Sequence, residues 1–184
     1  CWLTAAFPDD LKQWAEAGIL KRIYDKNGSY TSSFMASRLW VADYAAKNEI
    51  GKVLDFNELA ESSGDKTGKG IKRLGVLRAD VDGLGAAFIA GFIHKENKNP
   101  EAYATLSRYA ALSRSMALFF RKIIKGICKK ELPEGIKPFY LFEDKDGEPR
   151  KIHVVYSGGD DLFLVGAWDD LMGFVVDLKR AFSV

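Results

Sequence analysis

The stretch "VVYSGGDDLFLVG" at residues 154–166 decides the fold, because it places a polar turn between two apolar runs. Apolar runs of this length, bounded by turn residues, predict strands that are buried on both faces. Gly158 and Gly159 suit a tight hairpin turn, since glycine adopts positive φ angles at little steric cost. The turn also carries Asp160 and Asp161, whose adjacent carboxylates repel each other. Either a divalent cation compensates these charges, or the turn is a hairpin tip in water.

Composition describes an ordinary folded protein rather than a disordered chain. Of 184 residues, 47% are hydrophobic, and the formal net charge of +2 does not by itself indicate nucleic-acid binding. No apolar run approaches the ~20 residues of a membrane span. Two cysteines, Cys1 and Cys128, predict neither a disulfide framework nor a zinc site, so a cytoplasmic location without membrane contact is expected. The chain lacks an initial Met and ends inside an apparent helix, which we interpret as a piece of a longer protein.

Residues 1–70 show no single clean period, and we predict that they form an N-terminal appendage or a linker from a preceding domain. Within them, "DDLKQWAEAGILKRIY" at 9–24 predicts a helix, while "RLWVADYAA" at 38–46 is compatible with a strand or a short helix. "DFNELAESSG" at 55–64 predicts a short capped helix. "GDKTGKGIKR" at 64–73 predicts a flexible linker, because it lacks the Ser or Thr that a P-loop places after Gly-Lys.

Residues 71–184 carry regular patterns of strand and helix. "LGVLRADV" at 74–81 predicts a strand with Leu77, Ala79 and Val81 on an apolar face. The opposite face then carries Val76, Arg78 and Asp80. "GLGAAFIAGF" at 83–92 predicts a short helix.

Two longer helices follow in the pattern. The first is predicted to begin at Asn99 and Pro100 and to bury one stripe of residues. That stripe comprises Leu106, Tyr109, Ala110, Ser113, Met116, Ala117, Phe120, Ile123, Ile124 and Ile127. The last helix is predicted to be capped by Asp169 and to face inward through Leu171, Phe174, Val175, Leu178 and Phe182. This order predicts an α+β fold with an antiparallel-containing sheet and helices on one face.

Acidic residues at two strand ends form the candidate site. If the strand ending in "ADVDG" neighbours the "GGDD" hairpin, then Asp80, Asp160 and Asp161 converge at one edge of the sheet. Three carboxylates suit Mg²⁺ or Mn²⁺, which bridge phosphate oxygens of nucleotides. Backbone N–H groups at the start of the following helix form a candidate phosphate cradle, at Asp82, Gly83, Leu84 and Gly85.

"LGVLRADVDGLG", the helix with "LSRYAALSRSMALFF", and "VVYSGGDDLFLVG" together resemble the second palm domain of the large subunit of type III CRISPR effector complexes, Csm type (III-A). The resemblance covers about residues 34–184. It implies a palm, or ferredoxin-like nucleotide-cyclase domain, at 71–184 that is truncated at its C-terminus. Its core is shared more loosely with GGDEF diguanylate cyclases, from which Asp161 and Leu162 depart by replacing Glu and Phe.

The resemblance implies synthesis of cyclic oligoadenylate from ATP, with Mg²⁺ or Mn²⁺, when the complex binds target RNA. Other effector subunits, guide RNA and target RNA are the implied partners. Asp80 and Asp160 would ligate metal with help from the Val81 carbonyl, and Asp161 would be a further ligand or would help deprotonate the attacking 3′-hydroxyl. The remaining implied nucleotide-binding residues are Ser157, Gly158 and Gly159. Because the family uses two palms that face each other, this chain alone is expected to be a weak or inactive cyclase.

Two other functions stay open at this stage. One is a diguanylate-cyclase-like signalling enzyme that uses GTP, and the other is a non-catalytic scaffold palm that binds effector partners. The preference for ATP rests on the resemblance alone.

Overall fold

The computed structural model describes residues 8–20, 22–25, 36–38, 42–93, 98–132, 134–158 and 160–183. The chain divides into two compact units, Cys1–Val41 and Ala42–Val184. The domain boundary expected near residue 70 stays a prediction.

The first unit contains a short helix and two paired strands. Helix α1 spans Pro8–Glu16, and strands β1 (Ile23–Asp25) and β2 (Ala36–Arg38) are parallel. The helix expected over residues 9–24 is therefore wrong in its second half. It stops because Gly18 adopts a left-handed φ of 68°, which ends a helix without steric cost.

The second unit begins with elements that lie beside the main sheet. Helix α2 (Phe56–Glu61) has a capping box: the Asp55 carboxylate accepts from the Asn57 and Glu58 amides, and the Glu58 carboxylate accepts from the Asp55 amide. The expected short capped helix is thus confirmed. In the stretch where strand and helix were both left open, Ala45 makes an isolated antiparallel bridge to His153.

The glycine-rich loop after α2 forms hydrogen bonds within itself and to a distant part of the second unit. The Asp65 carboxylate accepts hydrogen bonds from the Lys69 amide and the Thr67 hydroxyl. The Lys66 amide donates to Asp144, 78 positions away, at 2.6 Å. These bonds connect the loop to the rest of the second unit, and its flexibility as a linker stays a prediction.

The main sheet has three antiparallel strands. They are β3 (Leu74–Ala79), β4 (Ile152–Gly158) and β5 (Asp161–Ala167), in the order β3-β5-β4. Ala79 pairs with Leu162, and Gly158 pairs with Asp161, so the end of β3 and the β4–β5 turn lie at the same end of the sheet. The expected hairpin and its pairing with the "ADVDG" strand are confirmed.

Burial differs between the two arms of the hairpin. Strand β5 is the central strand, and its Leu162 and Leu164 are fully buried. The prediction that β4 is buried on both faces is wrong, because Val155 is 58% and Tyr156 is 54% exposed. Strand β4 is an outer strand of the sheet, and its pairing with β5 has a register shift between Val154 and Tyr156, next to these exposed side chains.

Between β3 and β4 in the chain, one continuous helical run packs on the sheet. After helix α3 (Leu84–Ala90), the run consists of α4 (Leu106–Leu118), a π-helical segment (Phe119–Ile123) and α5 (Ile124–Lys129).

The start expected at Asn99 and Pro100 is wrong. Thr105 is the N-cap in extended conformation, and its carbonyl accepts the Arg108 and Tyr109 amides.

The buried part of the predicted stripe begins near Met116. Leu106 is 86% exposed, so the stripe is wrong in its first turns. Segments of 13, 5 and 6 residues rise to about 36 Å in total, whereas a seven-residue strand spans about 23 Å. The helical run is longer than the sheet, and its first turns extend past it.

Helix α6 (Trp168–Phe182) completes the helix layer. Its N-cap is Ala167 rather than the expected Asp169, because the Asp169 carboxylate lies in the first turn and pairs with the Lys145 ammonium at 2.5 Å. Val175 and Phe182 are 39% and 49% exposed, so they are wrong as core positions.

The core lies between the sheet and the helices. It contains Phe120, Ile124, Ile127, Cys128, Ile152, Leu162, Leu164, Leu171 and Phe174. Leu77 and Ala79 pack against this core, whereas Val76, on the other face of β3, is 65% exposed. The alternation predicted for β3 and the α+β fold class with helices on one face are confirmed. None of the helices in the described ranges is long and apolar enough to cross a membrane.

Candidate nucleotide and metal site

A cleft opens where β3 ends and the β4–β5 hairpin turns. It has a volume of about 380 Å³, and Asp80, Asp82 and Asp160 line it together with Val81. All three carboxylate residues are exposed, and none forms an ion pair with another described residue. Antiparallel pairing of β3 with β5 brings Asp80 and Asp160 to this cleft from positions 80 residues apart in the chain. The cleft therefore has an acidic lip whose carboxylates form no ion pair with any described residue.

The loop after β3 owes its shape to one glycine. Gly83 adopts a left-handed φ of 72° as the N-cap of α3, and its carbonyl accepts the Ala87 amide at 2.9 Å. Leu84 is the first residue of α3, and this helix start carries no side-chain cap. A Cβ atom at Gly83 or Gly85 would meet nothing within 4 Å, so open space surrounds the loop. Its role as a phosphate cradle stays a prediction.

Asp161 faces different surroundings from Asp160. Because Leu162 points into the core, the preceding Asp161 side chain lies on the opposite face of β5. Its carboxylate is 3.8 Å from the Arg78 guanidinium, whose side chain is 77% exposed. Asp161 is thus the acidic residue of the turn that has a cationic neighbour.

Three other hairpin residues, Ser157, Gly158 and Gly159, were also predicted to bind nucleotide. The Ser157 hydroxyl donates to the Phe120 carbonyl at 2.6 Å, which directs this side chain toward the helix layer. Gly158 pairs with Asp161, and Gly159 lies outside the described residues.

The acidic residues at the cleft can be compared with the ligands that a divalent ion requires. In the part of the chain that the structure describes, no three Asp, Glu, His or Cys side chains form a group that could hold a metal. The site of Asp80, Asp160 and Asp161 together therefore stays a prediction. Mg²⁺ commonly takes one or two protein carboxylates and completes its shell with water and substrate phosphates. Asp80 and Asp160, exposed on one cleft, fit that smaller requirement.

The cleft also has an apolar wall, which the sequence patterns do not assign to a site. The Phe119 and Phe182 rings meet edge to face with centroids 5.0 Å apart. Val175, Leu178 and Lys179 line the same wall. Their three-and-four spacing is the available signal, but the same spacing is typical of a core stripe and does not single out Lys179.

A second cavity, of about 260 Å³, lies at the other end of the sheet. Lysines line it, and two of their ammonium groups are engaged: Lys72 donates to the Glu61 and Ser63 carbonyls, and Lys145 pairs with Asp169. Burial lowers the pKa of Lys130, which also lines it, to about 8. These contacts tie loops together, and they leave the first cleft as the candidate site.

The sheet order, the helix layer and the acidic strand ends define a palm domain. A family model described as Cas10/Cmr2, second palm domain, matches residues 73–184. The chain belongs to this family, which confirms the palm fold expected from the sequence.

Curated proteins similar to this chain are of the III-A subtype, as the resemblance implied. The chain is 40% identical over 162 residues to the Mycobacterium tuberculosis "CRISPR system single-strand-specific deoxyribonuclease Cas10/Csm1 (subtype III-A)", covering 88% of this chain and 18% of the relative. It is 35% identical to a crystal structure of the Csm1-Csm4 cassette in complex with one ATP, with a TM-score of 0.61. A Csm1-Csm4 cassette in complex with cA4 gives 34% identity and a TM-score of 0.63. Each structural match covers 85% of this chain and 20% of the other.

Proposed function

We propose that this chain is part of the large subunit of a type III-A CRISPR effector, and that its palm takes part in converting ATP into cyclic oligoadenylate when the complex binds target RNA. The observation that carries the proposal is the exposed pair of Asp80 and Asp160 on one cleft, in a chain similar to proteins crystallised with ATP and with cA4. The chain spans about 18% of the M. tuberculosis relative, so the activity is proposed for a longer protein.

In the proposed reaction, a ribose 3′-hydroxyl attacks the α-phosphate of a second ATP. A new O–P bond forms, the bond to the β-phosphate bridging oxygen breaks, and pyrophosphate leaves. Asp80 and Asp160 would hold Mg²⁺ or Mn²⁺, with the Val81 carbonyl assisting. A bound ion of this kind neutralises phosphate charge and lowers the pKa of the attacking hydroxyl.

The remaining site residues have roles that are part of the same proposal. Asp161 would serve as a further ligand or receive the hydroxyl proton, and the Arg78 guanidinium lies 3.8 Å from its carboxylate. Backbone amides at 82–85 receive phosphates. Ser157, Gly158 and Gly159 would contribute to nucleotide binding, as the family resemblance implies.

The proposal includes partners and place of action. The chain works with other subunits of the ribonucleoprotein, and guide and target RNA are bound through the complex. A cytoplasmic location is part of the same proposal. One similar structure is of a Csm1-Csm4 cassette, which supports a subunit partner of that kind.

The test uses the full-length protein in its assembled complex. The complex is incubated with Mn²⁺, target RNA and either ATP or GTP, and products are identified by mass spectrometry. We expect cyclic oligoadenylates from ATP only when target RNA is present. Cyclic products from GTP would favour the diguanylate-type alternative, and no product from either nucleotide would favour the scaffold palm.

A further inference from the structure

We propose that Lys179 is the phosphate-binding side chain of the cleft, and that it favours nucleoside triphosphates over monophosphates there. This inference rests on the proposed function, because it assigns a substrate contact within the same site. It adds a residue from α6, an element that carries none of the predicted site residues.

Lys179 reaches the cleft because of its position on the helix. Val175, Leu178, Lys179 and Phe182 follow the i, i+3, i+4, i+7 spacing of one face, and all four line the cleft. Three members of this stripe are apolar. Lys179 is the single cationic residue among the described residues that line the cleft. Its aliphatic stem can lie along the apolar wall while its ammonium group stays in water.

The charges around the cleft suit a ligand that carries both positive and negative charges. Asp80, Asp82 and Asp160 supply three negative charges, and Lys179 supplies one positive charge. For a metal ion alone, a nearby lysine is unfavourable, because like charges repel. A metal–nucleotide complex instead presents a cation to the carboxylates and phosphate oxygens to the ammonium. A triphosphate, with more anionic oxygens than a monophosphate, gains more from Lys179.

Lys179 is also free to make such a contact. It is exposed, and its ammonium forms no ion pair with any other described residue. Its neighbour Arg180 is differently placed, with a guanidinium 3.8 Å from the Asp177 carboxylate and a hydrogen bond to the Lys137 carbonyl. Arg180 thus already supplies a basic group to the last turn of α6, where cations favour the helix dipole.

The experiment measures binding rather than turnover. Lys179→Ala, Lys179→Arg and the control Lys137→Ala, an exposed lysine that is not among the cleft-lining residues, are made in the full-length complex. Dissociation constants are measured for Mn²⁺ alone, Mn²⁺·AMP and Mn²⁺·ATP, together with the melting temperature. We expect Lys179→Ala to weaken ATP binding about tenfold, which corresponds to one charge-assisted contact. AMP binding should change by less than about twofold, and Mn²⁺ binding should be unchanged or tighter.

The control variants separate a phosphate contact from a structural role. Lys179→Arg should keep most of the ATP affinity, and Lys137→Ala should match the wild type. Equal weakening of AMP and ATP, no weakening of either, or a lower melting temperature that accounts for the loss would overturn the role of Lys179. If the wild-type complex binds no ATP at all, the proposed function itself fails, and this outcome is visible before any variant is compared.

Discussion

Acidic side chains occupy two regions of the second unit, and their surroundings are opposite. At the cleft, Asp80 and Asp160 are exposed and have no basic partner among the described residues. On α6, Asp169, Asp170 and Asp177 are buried and bonded. Asp169 pairs with the Lys145 ammonium at 2.5 Å, and Asp170 accepts the Lys151 amide at 2.8 Å.

Asp177 shows how the buried region is satisfied. Its carboxylate pairs with the Arg150 guanidinium and accepts the Phe139 amide at 3.0 Å. Arg150 is 1% exposed and also donates to the Phe139 carbonyl. A buried charge without partners is costly, so these bonds are needed for folding. The comparison indicates that the α6 acids serve the fold, whereas the cleft acids are left for a ligand.

The largest effect is expected from replacing the two cleft acids, Asp80 and Asp160. Asp80→Asn combined with Asp160→Asn should reduce oligoadenylate yield more than a thousandfold, because two ligands of the charge-stabilising ion are lost. The melting temperature should stay near the wild-type value or rise slightly, since both residues are exposed and repel nearby charges. Mass spectrometry and thermal unfolding on the same complex check both outcomes. Glu134→Gln, an exposed acid that is not among the cleft-lining residues, is the control, and yield near wild type in the double variant would show that the metal site is misassigned.

The second prediction concerns the buried acid. Asp177→Asn should lower the free energy of unfolding by about 3–5 kcal/mol, because Arg150 would remain buried with only the more distant Asp170 carboxylate, 3.8 Å away, as counter-charge. Urea unfolding of the protein measures this. Adding Arg150→Met to the variant should recover part of the loss, since the uncompensated charge is then removed. A single variant as stable as the wild type would break the contrast between the two regions.

The third prediction tests the close approach of α6 to Arg150. A Cβ atom at Gly173 would lie 2.8 Å from the Phe139 carbonyl oxygen and also contact the Arg150 guanidinium. Gly173→Ala should therefore destabilise the protein by about 1–3 kcal/mol through overpacking. Gly85→Ala is the matched control, because its Cβ meets nothing within 4 Å and alanine favours a helix. Equal unfolding midpoints for the two variants would contradict the tight packing inferred here.

The smallest effect is a pH dependence at Lys130. Burial lowers its pKa to about 8 from the ordinary 10.5. Between these two values the unfolded chain holds a proton that the folded chain has lost, so the wild-type free energy of unfolding rises with pH across this window. Lys130→Met removes this rise. The free energy of unfolding of the variant relative to that of the wild type should therefore be highest below pH 8 and should fall as the pH approaches 10.5.

The expected change at Lys130 is under about 1 kcal/mol, because the side chain is only half-buried and solvent screens it. Urea unfolding at pH 7 and pH 10 measures it. Lys137→Met, at an exposed position, should show the same pH dependence as the wild type. An identical pH dependence for Lys130→Met would show that the ammonium is not held in a low-dielectric site.

Predictions from the sequence were most accurate where structure depends on neighbouring residues. The hairpin at 152–167 and the alternation along β3 follow from period and turn chemistry, and both are confirmed. The start of α4 was missed because Thr105 competes with Asn99 as an N-cap, and local pattern does not decide between them. Asp169 was taken for a cap because the sequence does not show that Lys145, 24 positions away, pairs with it.

The sequence by itself determined the order of strands and helices and the family to which they belong, because periodicity, glycine turns and the "ADVDG" and "GGDD" motifs are local properties. Only the tertiary structure decided which acids are paired and which are open. Asp170 and Asp177 find partners 19 to 38 positions away, whereas Asp80 and Asp160 meet at a cleft. Lys179 joins that cleft for the same reason. Burial and charge compensation depend on contacts between distant segments, which no local pattern encodes.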